Sequence, residues 1–154
     1  MQEATLCFPV RAGSILLIEK KRGLGAGMIH GPGGKLEPGE TPREAGRREV
    51  GEEIEARPVG LDKIGELEFV MDDGPWMFVH VFRSDGLEGD PGETDEAVPR
   101  WYPVSEIPLD RMWPDDRYWL PLLIERRTFR GFFVFDGGAE RLGRWELETD
   151  VDVE

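Results

Sequence analysis

Apolar residues crowd into two short runs near the start of the chain and then give way to glycine. Residues 5–10 and 14–20 have strand character, and Arg11-Ala12-Gly13 supplies a tight turn between them. The loop that follows carries Gly23, Gly25, Gly27, Gly31, Gly33 and Gly34. Helical spacing begins next. Thr41-Pro42-Arg43-Glu44 combines an N-cap hydroxyl, proline at the first helical position and a glutamate three residues after the cap. Pro58 lies beyond, so the pattern predicts a helix over 42–55 with Val50 and Ile54 turned to the core. Residues 64–71 and 76–83 form a strand pair about Asp72-Asp73-Gly74, 84–97 a loop rich in Gly, Asp and Glu, and 99–103 a short strand. A second helix lies within 115–127, where Pro121 costs a backbone hydrogen bond and predicts a late start or a kink. Strands over 131–136 and 144–148 close the chain. Mixed strands with two helices predict an α/β sandwich. No repeat, low-complexity tract or long linker divides it, so 1–154 reads as one domain.

Composition narrows the function classes. Hydrophobic residues at 39% and charged residues at 33% suit a globular chain and exclude a disordered one. The lone cysteine, Cys7, excludes an intrachain disulfide framework. The start, Met1-Gln2-Glu3-Ala4, has no basic and apolar leader, and no run approaches the roughly 20 apolar residues of a membrane span. A cytoplasmic monomer without a membrane partner is the expectation. The net charge of −13 argues against a nucleic-acid polymer, whose phosphates are bound through Lys and Arg. A small phosphorylated substrate remains compatible, provided a divalent cation stands between two anions.

The first helix carries chemistry suited to that cation. Glu49, Glu52 and Glu53 are spaced i, i+3, i+4 and share one helical face, opposite Val50 and Ile54. Glu40, just before the cap, reaches the same region. Hard oxygen ligands in a cluster suit Mg²⁺ or Mn²⁺, completed by water and phosphate. A solvated acidic face with Arg48 paired to Glu52 is the alternative on these residues alone.

Gly34, Glu40 and the run Arg48-Glu49-Val50-Gly51-Glu52-Glu53 resemble the Nudix box, G-x5-E-x7-R-E-U-x-E-E-x-G-U with U aliphatic, at every charged position. The resemblance implies a Nudix-type α/β/α sandwich, with a mixed sheet and two main helices. It also implies Mg²⁺ held by Glu49, Glu52 and Glu53, with the Gly34 carbonyl and Glu40 assisting and Arg48 bracing the glutamates. Water would attack a bridging phosphorus, releasing a nucleoside monophosphate and pyrophosphate. The box departs at its end, where Glu55 and Ala56 replace glycine and an aliphatic residue. That glycine ends the helix in a left-handed conformation, so a different helix end is expected here.

Outside the box, Lys20-Lys21-Arg22-Gly23, Gly25-Ala26-Gly27, His80-Val81-Phe82, Thr94-Asp95-Glu96 and Met112-Trp113-Pro114-Asp115-Asp116 are similar to the MutT-type oxidised-purine nucleoside triphosphatases of that superfamily, which cleanse the nucleotide pool. The resemblance implies that Asp115 and Asp116 bind the base edge while Trp113 stacks on the ring. Adjacent carboxylates that share a proton donate with one group and accept with the other, as an oxidised purine requires. A helix cap and a core tryptophan are the alternatives. Thr5, Lys20, Phe69 and Met77 align with other pocket positions, and Glu96 with a second metal ligand or general base. Two pocket positions differ from those enzymes: His30 replaces an asparagine and Leu24 an aromatic. With an ordinary imidazole pKa near ~6.5, His30 is expected to make base discrimination vary between about pH 5.5 and 8. His80, within an apolar strand, reads as structural. Other substrates compatible with the box are a nucleotide sugar, a dinucleoside polyphosphate or an ordinary dNTP. A catalytically silent nucleotide-binding module would keep the fold without the intact glutamates.

Overall fold

The computed structural model describes residues 1–23, 25–71, 76–136 and 141–153. Its strands are β1 (Gln2–Arg11), β2 (Ser14–Lys20), β3 (Ile29–His30), β4 (Gly33–Lys35), β5 (Arg57–Pro58), β6 (Asp62–Met71), β7 (Met77–Ser84), β8 (Leu87–Glu88), β9 (Ala97–Pro103), β10 (Phe129–Phe135) and β11 (Leu142–Thr149). The helices are α1 (Pro42–Ile54) and α2 (Asp116–Ile124). The main sheet runs β11-β10-β6-β7-β1-β2-β3, with β4 also on β1 and β9 on β2. It is mixed: β1 runs parallel to β7 and β10 parallel to β6, while β6–β7, β10–β11 and β1–β2 are antiparallel.

Side-chain alternation along the central strands explains the two layers of helix. On β1, Ala4, Phe8 and Val10 join one core with Met112, Trp119, Leu120 and Leu123 around α2. Cys7 points the other way, into a second core with Val50 and Ile54 of α1. Strand β2 divides likewise, Ile15 and Leu17 toward α2 and Leu16 and Ile18 toward α1. A period of two thus places one helix on each face, giving the sandwich. The approach of α1 is close: a Cβ on Gly46 would stand 2.6 Å from Cys7 Sγ, so a larger residue would push the helix off β1.

The capping box of α1 forms as the sequence predicts. Thr41 Oγ1 accepts from Glu44 N–H at 3.2 Å, and Glu44 Oε1 accepts from Thr41 N–H at 2.9 Å. Helix α2 corrects the late start expected from Pro121. It begins at Asp116 and continues through the proline. Its C-terminal end is held from outside, with Arg83 Nη1 donating to the Leu123 and Ile124 carbonyls at 3.1 and 2.6 Å. Those bonds satisfy carbonyls that a helix end leaves unpaired. The turn expected at Asp72-Asp73-Gly74 lies outside the described residues. No helix among the described residues is long and apolar enough to cross a membrane.

Candidate active site

Helix α1 presents its carboxylates beside the β3–β4 loop. Arg48 is the hub. Its Nε donates to Glu40 Oε2 at 2.7 Å and its Nη2 to Glu40 Oε1 at 2.9 Å and the Lys35 carbonyl at 3.0 Å. Its Nη1 reaches Glu49 at 2.9 Å and Glu52 at 3.2 Å. A planar guanidinium is the side chain that can brace several carboxylates at once. Glu53, 3% exposed, instead accepts from Gly33 N–H at 2.8 Å. Gly33 (φ +155°) is confined to glycine, since a Cβ there would lie 2.0 Å from the Thr5 carbonyl oxygen. At Gly34 a Cβ would meet the Glu49 carboxylate at 2.5–2.7 Å, so the strand and the acid ridge touch.

Crowding changes the acids. Burial pushes Glu53 up to about 8, with the charges of Glu49 and Glu96 adding and the Gly33 N–H opposing. Burial also raises Glu49, partly offset by Arg48. Among the described residues no three acidic, histidine or cysteine groups already converge at metal-ligating distance. Their oxygens are drawn to Arg48 and Gly33, while Glu96 pairs with Arg22 at 2.9 Å. Thr94 fastens the Glu96 loop to the helix end, its hydroxyl donating to the Glu53 carbonyl at 2.7 Å and accepting from Glu96 N–H at 3.1 Å. The resemblance included Thr94 without assigning it a role, and that role appears only when the loop meets the helix.

The end of α1 corrects an expectation. Glu55 adopts the left-handed conformation (φ 57°, ψ 36°) that the missing glycine would take, and its N–H donates to the Gly51 carbonyl. The chain keeps the geometry and bears the strain of a side chain there.

Beside this ridge opens a cleft of about 920 Å³, its open mouth included. All eight residues expected at a substrate pocket line it: Thr5, Lys20, His30, Phe69, Met77, Trp113, Asp115 and Asp116. Gly34 and Glu53 line it too, which joins the cleft to the acid ridge. Glu40, Arg48, Glu49, Glu52 and Glu96 stand outside that lining. Met71, Val79 and Phe135 complete an apolar wall. The sequence marked these as strand residues, but the parallel register that sets Phe135 opposite Met71 is a long-range pairing it does not announce.

Asp115 and Asp116 are 2% and 7% exposed. The cap alternative fails for Asp115, which makes no side-chain cap bond and accepts from Trp119 Nε1 at 2.7 Å. Burial raises both carboxyls, Asp115 to about 6 and Asp116 well above the ordinary range, the latter also through the charge of Asp115. A hydrogen bond joins the two. With Trp119 N–H on Asp115, the proton of the pair sits on the Asp116 side at neutral pH, shared with Asp115 through that hydrogen bond.

His30 is corrected. Burial drives its pKa down to about 4, against a smaller raising effect from the Gly25 carbonyl. It stays neutral from pH 5.5 to 8 and cannot supply the expected pH dependence. Leu24 lies outside the described residues. His80 sits in β7, buried, with Nε2 2.8 Å from Glu3 Oε1 and away from the cleft lining.

Comparison with known proteins adds to the geometry. The NUDIX domain family model matches residues 1–123. The oxidized purine nucleoside triphosphate hydrolase of Danio rerio is 44% identical over 134 residues, spanning 86% of each chain. The protein of the same name from Mus musculus is 40% identical over 132 residues, spanning 85% of each. The crystal structure of a MutT protein from Bacillus halodurans superposes with a TM-score of 0.84 at 25% identity, covering 96% of this chain and 98% of that one.

Proposed function

The chain belongs to the NUDIX domain family, and from that premise we propose that it is a divalent-cation-dependent hydrolase of oxidised purine nucleoside triphosphates. It splits them into nucleoside monophosphate and pyrophosphate. One observation carries the reading: the cleft that contains Trp113, Asp115 and Asp116 is also lined by Glu53 and Gly34. A base at one end thus leaves its phosphates at the acid ridge. The names of the Danio rerio and Mus musculus relatives support the same substrate class.

The donor set fits Mg²⁺, or Mn²⁺, on its chemistry. Glu49, Glu52 and Glu53 with the Gly34 carbonyl are all hard oxygens, and Glu40 and Glu96 stand near. Crowded carboxylates whose proton affinity is already raised, as at Glu49 and Glu53, are relieved by a cation. When bound, the cation neutralises phosphate charge and acidifies water. The protein's own groups do the rest. Arg48 holds Glu40, Glu49 and Glu52 in place. Glu52, Glu53 and Glu96 supply the carboxylates that hold the cation or take the proton of the attacking water. Lys20, lining the cleft, offers a positive charge to the phosphates.

At the base end, oxidation of a purine at C8 turns N7 from an acceptor into an N–H donor. The Asp115 carboxylate suits such a donor, and the one proton of the pair, turned from Asp115 to the ligand, suits a carbonyl. Trp113 covers the ring face, with Phe69, Met77 and Thr5 around it. The pairing of β10 with β6 in the main sheet supports reading 1–154 as one domain, and a lone buried thiol, Cys7, suits a reducing compartment such as the cytosol. The test is phosphorus NMR of the products: an oxidised purine triphosphate with Mg²⁺ should give pyrophosphate and monophosphate. Release of orthophosphate, or equal rates with the cation chelated, would refute the reaction.

A further inference from the structure

Where three segments meet at the wall of the cleft, the side chain of His30 stands between the Gly25 carbonyl and the Trp113 indole. Its Nε2 is 3.2 Å from Gly25 O and 3.4 Å from Trp113 Nε1. The two rings meet edge to face, 6.1 Å between centroids at 65°. Phe135 meets the indole from another side at 5.9 Å and 82°. Space at this junction is fully used: a Cβ on Gly25 would lie 2.6 Å from His30 Nε2 and 3.3 Å from Trp113 Nε1.

We propose that His30 is a positioning residue for Trp113, fixing the plane on which a purine stacks, and does not itself choose between bases. The inference rests on the purine-triphosphate reading of this cleft. The indole N–H needs an acceptor, and Nε2 is the ring atom at its reach. A neutral imidazole always has one nitrogen free to accept, and burial keeps this ring neutral. The same nitrogen cannot serve both neighbours. With the proton on Nδ1, Nε2 accepts from Trp113. With the proton on Nε2, it donates to Gly25 and the indole N–H loses its partner. The tautomer therefore decides whether the indole is held. A stacking plane has no preference among purines, so its loss falls on oxidised and ordinary bases alike. Discrimination stays with Asp115 and Asp116, whose hydrogen bonds read the edge.

Side-chain length makes the test. The amide of Gln reaches about as far as Nε2 of histidine, whereas the amide of Asn reaches only as far as Nδ1. His30→Asn should raise KM for an oxidised purine triphosphate and for its ordinary parent by the same factor, about 10-fold, with kcat changed little. The ratio of the two kcat/KM values stays within about twofold of wild type. His30→Gln should restore both KM values. In nitrogen–proton spectra, the indole N–H of Trp113, assigned by its loss in Trp113→Phe, should move in His30→Asn and return in His30→Gln. An unmoved indole resonance in His30→Asn overturns the proposal. So does a changed ratio of kcat/KM values with both nucleotides bound, which would make His30 a reader of the base. Because the spectra need no substrate, they judge the His30–Trp113 coupling even if neither nucleotide is hydrolysed. Absent hydrolysis would count against the substrate reading instead.

Discussion

Replacing Asp116 by Asn should stabilise the protein at neutral pH. Both aspartates are nearly sealed from water, at 2% and 7% exposure, and burial raises both. Trp119 N–H steadies the Asp115 anion, so the proton stays on Asp116. The unfolded chain gives that proton up near pH ~3.9. A carboxyl raised on folding contributes its stability in full below the unfolded value and loses it as pH climbs toward the folded one. Each pH unit above ~3.9 through which the fold holds the proton costs about 1.4 kcal/mol, which amounts to about 4 kcal/mol at pH 7 if the proton is held throughout. Asn still donates an N–H toward Asp115 but has nothing to release. Allowing about 1 kcal/mol for a poorer hydrogen bond, the variant gains about 2–3 kcal/mol. At roughly 2–4 °C per kcal/mol for a chain of this size, Tm should rise about 5–10 °C at pH 7. The difference should vanish toward pH 4–5. Thermal unfolding of both proteins from pH 4.5 to 8 makes the comparison. A Tm difference independent of pH, or a wild type more stable at pH 8, would show that no proton is trapped in the pair.

Other perturbations probe the remaining parts. Glu53→Gln keeps an acceptor for Gly33 N–H, and Glu52→Gln lies on an exposed face, so both should fold while turnover falls at least ~10²-fold. Near-normal turnover in both, with Mg²⁺ present, would remove the helix from catalysis. Arg48→Met leaves Glu40, Glu49 and Glu52 without their shared partner. Its activity should fall about 10-fold or more and its Mg²⁺ titration should shift, whereas an unchanged titration would show that Arg48 braces nothing needed. Glu55→Gly puts the residue of least strain at φ 57° and should add about 0.5–1 kcal/mol of stability with activity unchanged. A lower Tm would refute the strain argument.

The sequence disclosed most of what local rules govern. The capping box, the strand pair flanking residues 72–74 and the glutamate spacing follow from turn chemistry and helical geometry. Motif resemblance supplied the pocket residues, and the fold gathers them around one cleft although they lie as far apart as Thr5 and Asp116. What stayed hidden depends on tertiary contact. Pro121 costs only the one bond it would donate to the Arg117 carbonyl, and Trp119, Leu120, Leu122 and Leu123, buried on either side of it, keep the helix in place. Glu55 looked like a broken motif, yet the backbone holds it in the conformation glycine would take. His30 invited a titration argument that burial cancels. Thr94 and Phe135 matter through partners that sequence separation conceals.

The central claim is that this cleft prefers an oxidised purine at the acidic helix of a NUDIX hydrolase. Its most direct test is competition: an equimolar mixture of a C8-oxidised purine triphosphate and its ordinary parent, incubated with the protein and Mg²⁺ at pH 7.5. Chromatography follows the loss of each nucleotide. The account predicts that the oxidised nucleotide disappears first, with a kcat/KM at least ~10-fold larger, yielding its monophosphate and equimolar pyrophosphate. Equal consumption of the two, or faster hydrolysis of a nucleotide sugar added to the same mixture, would contradict it.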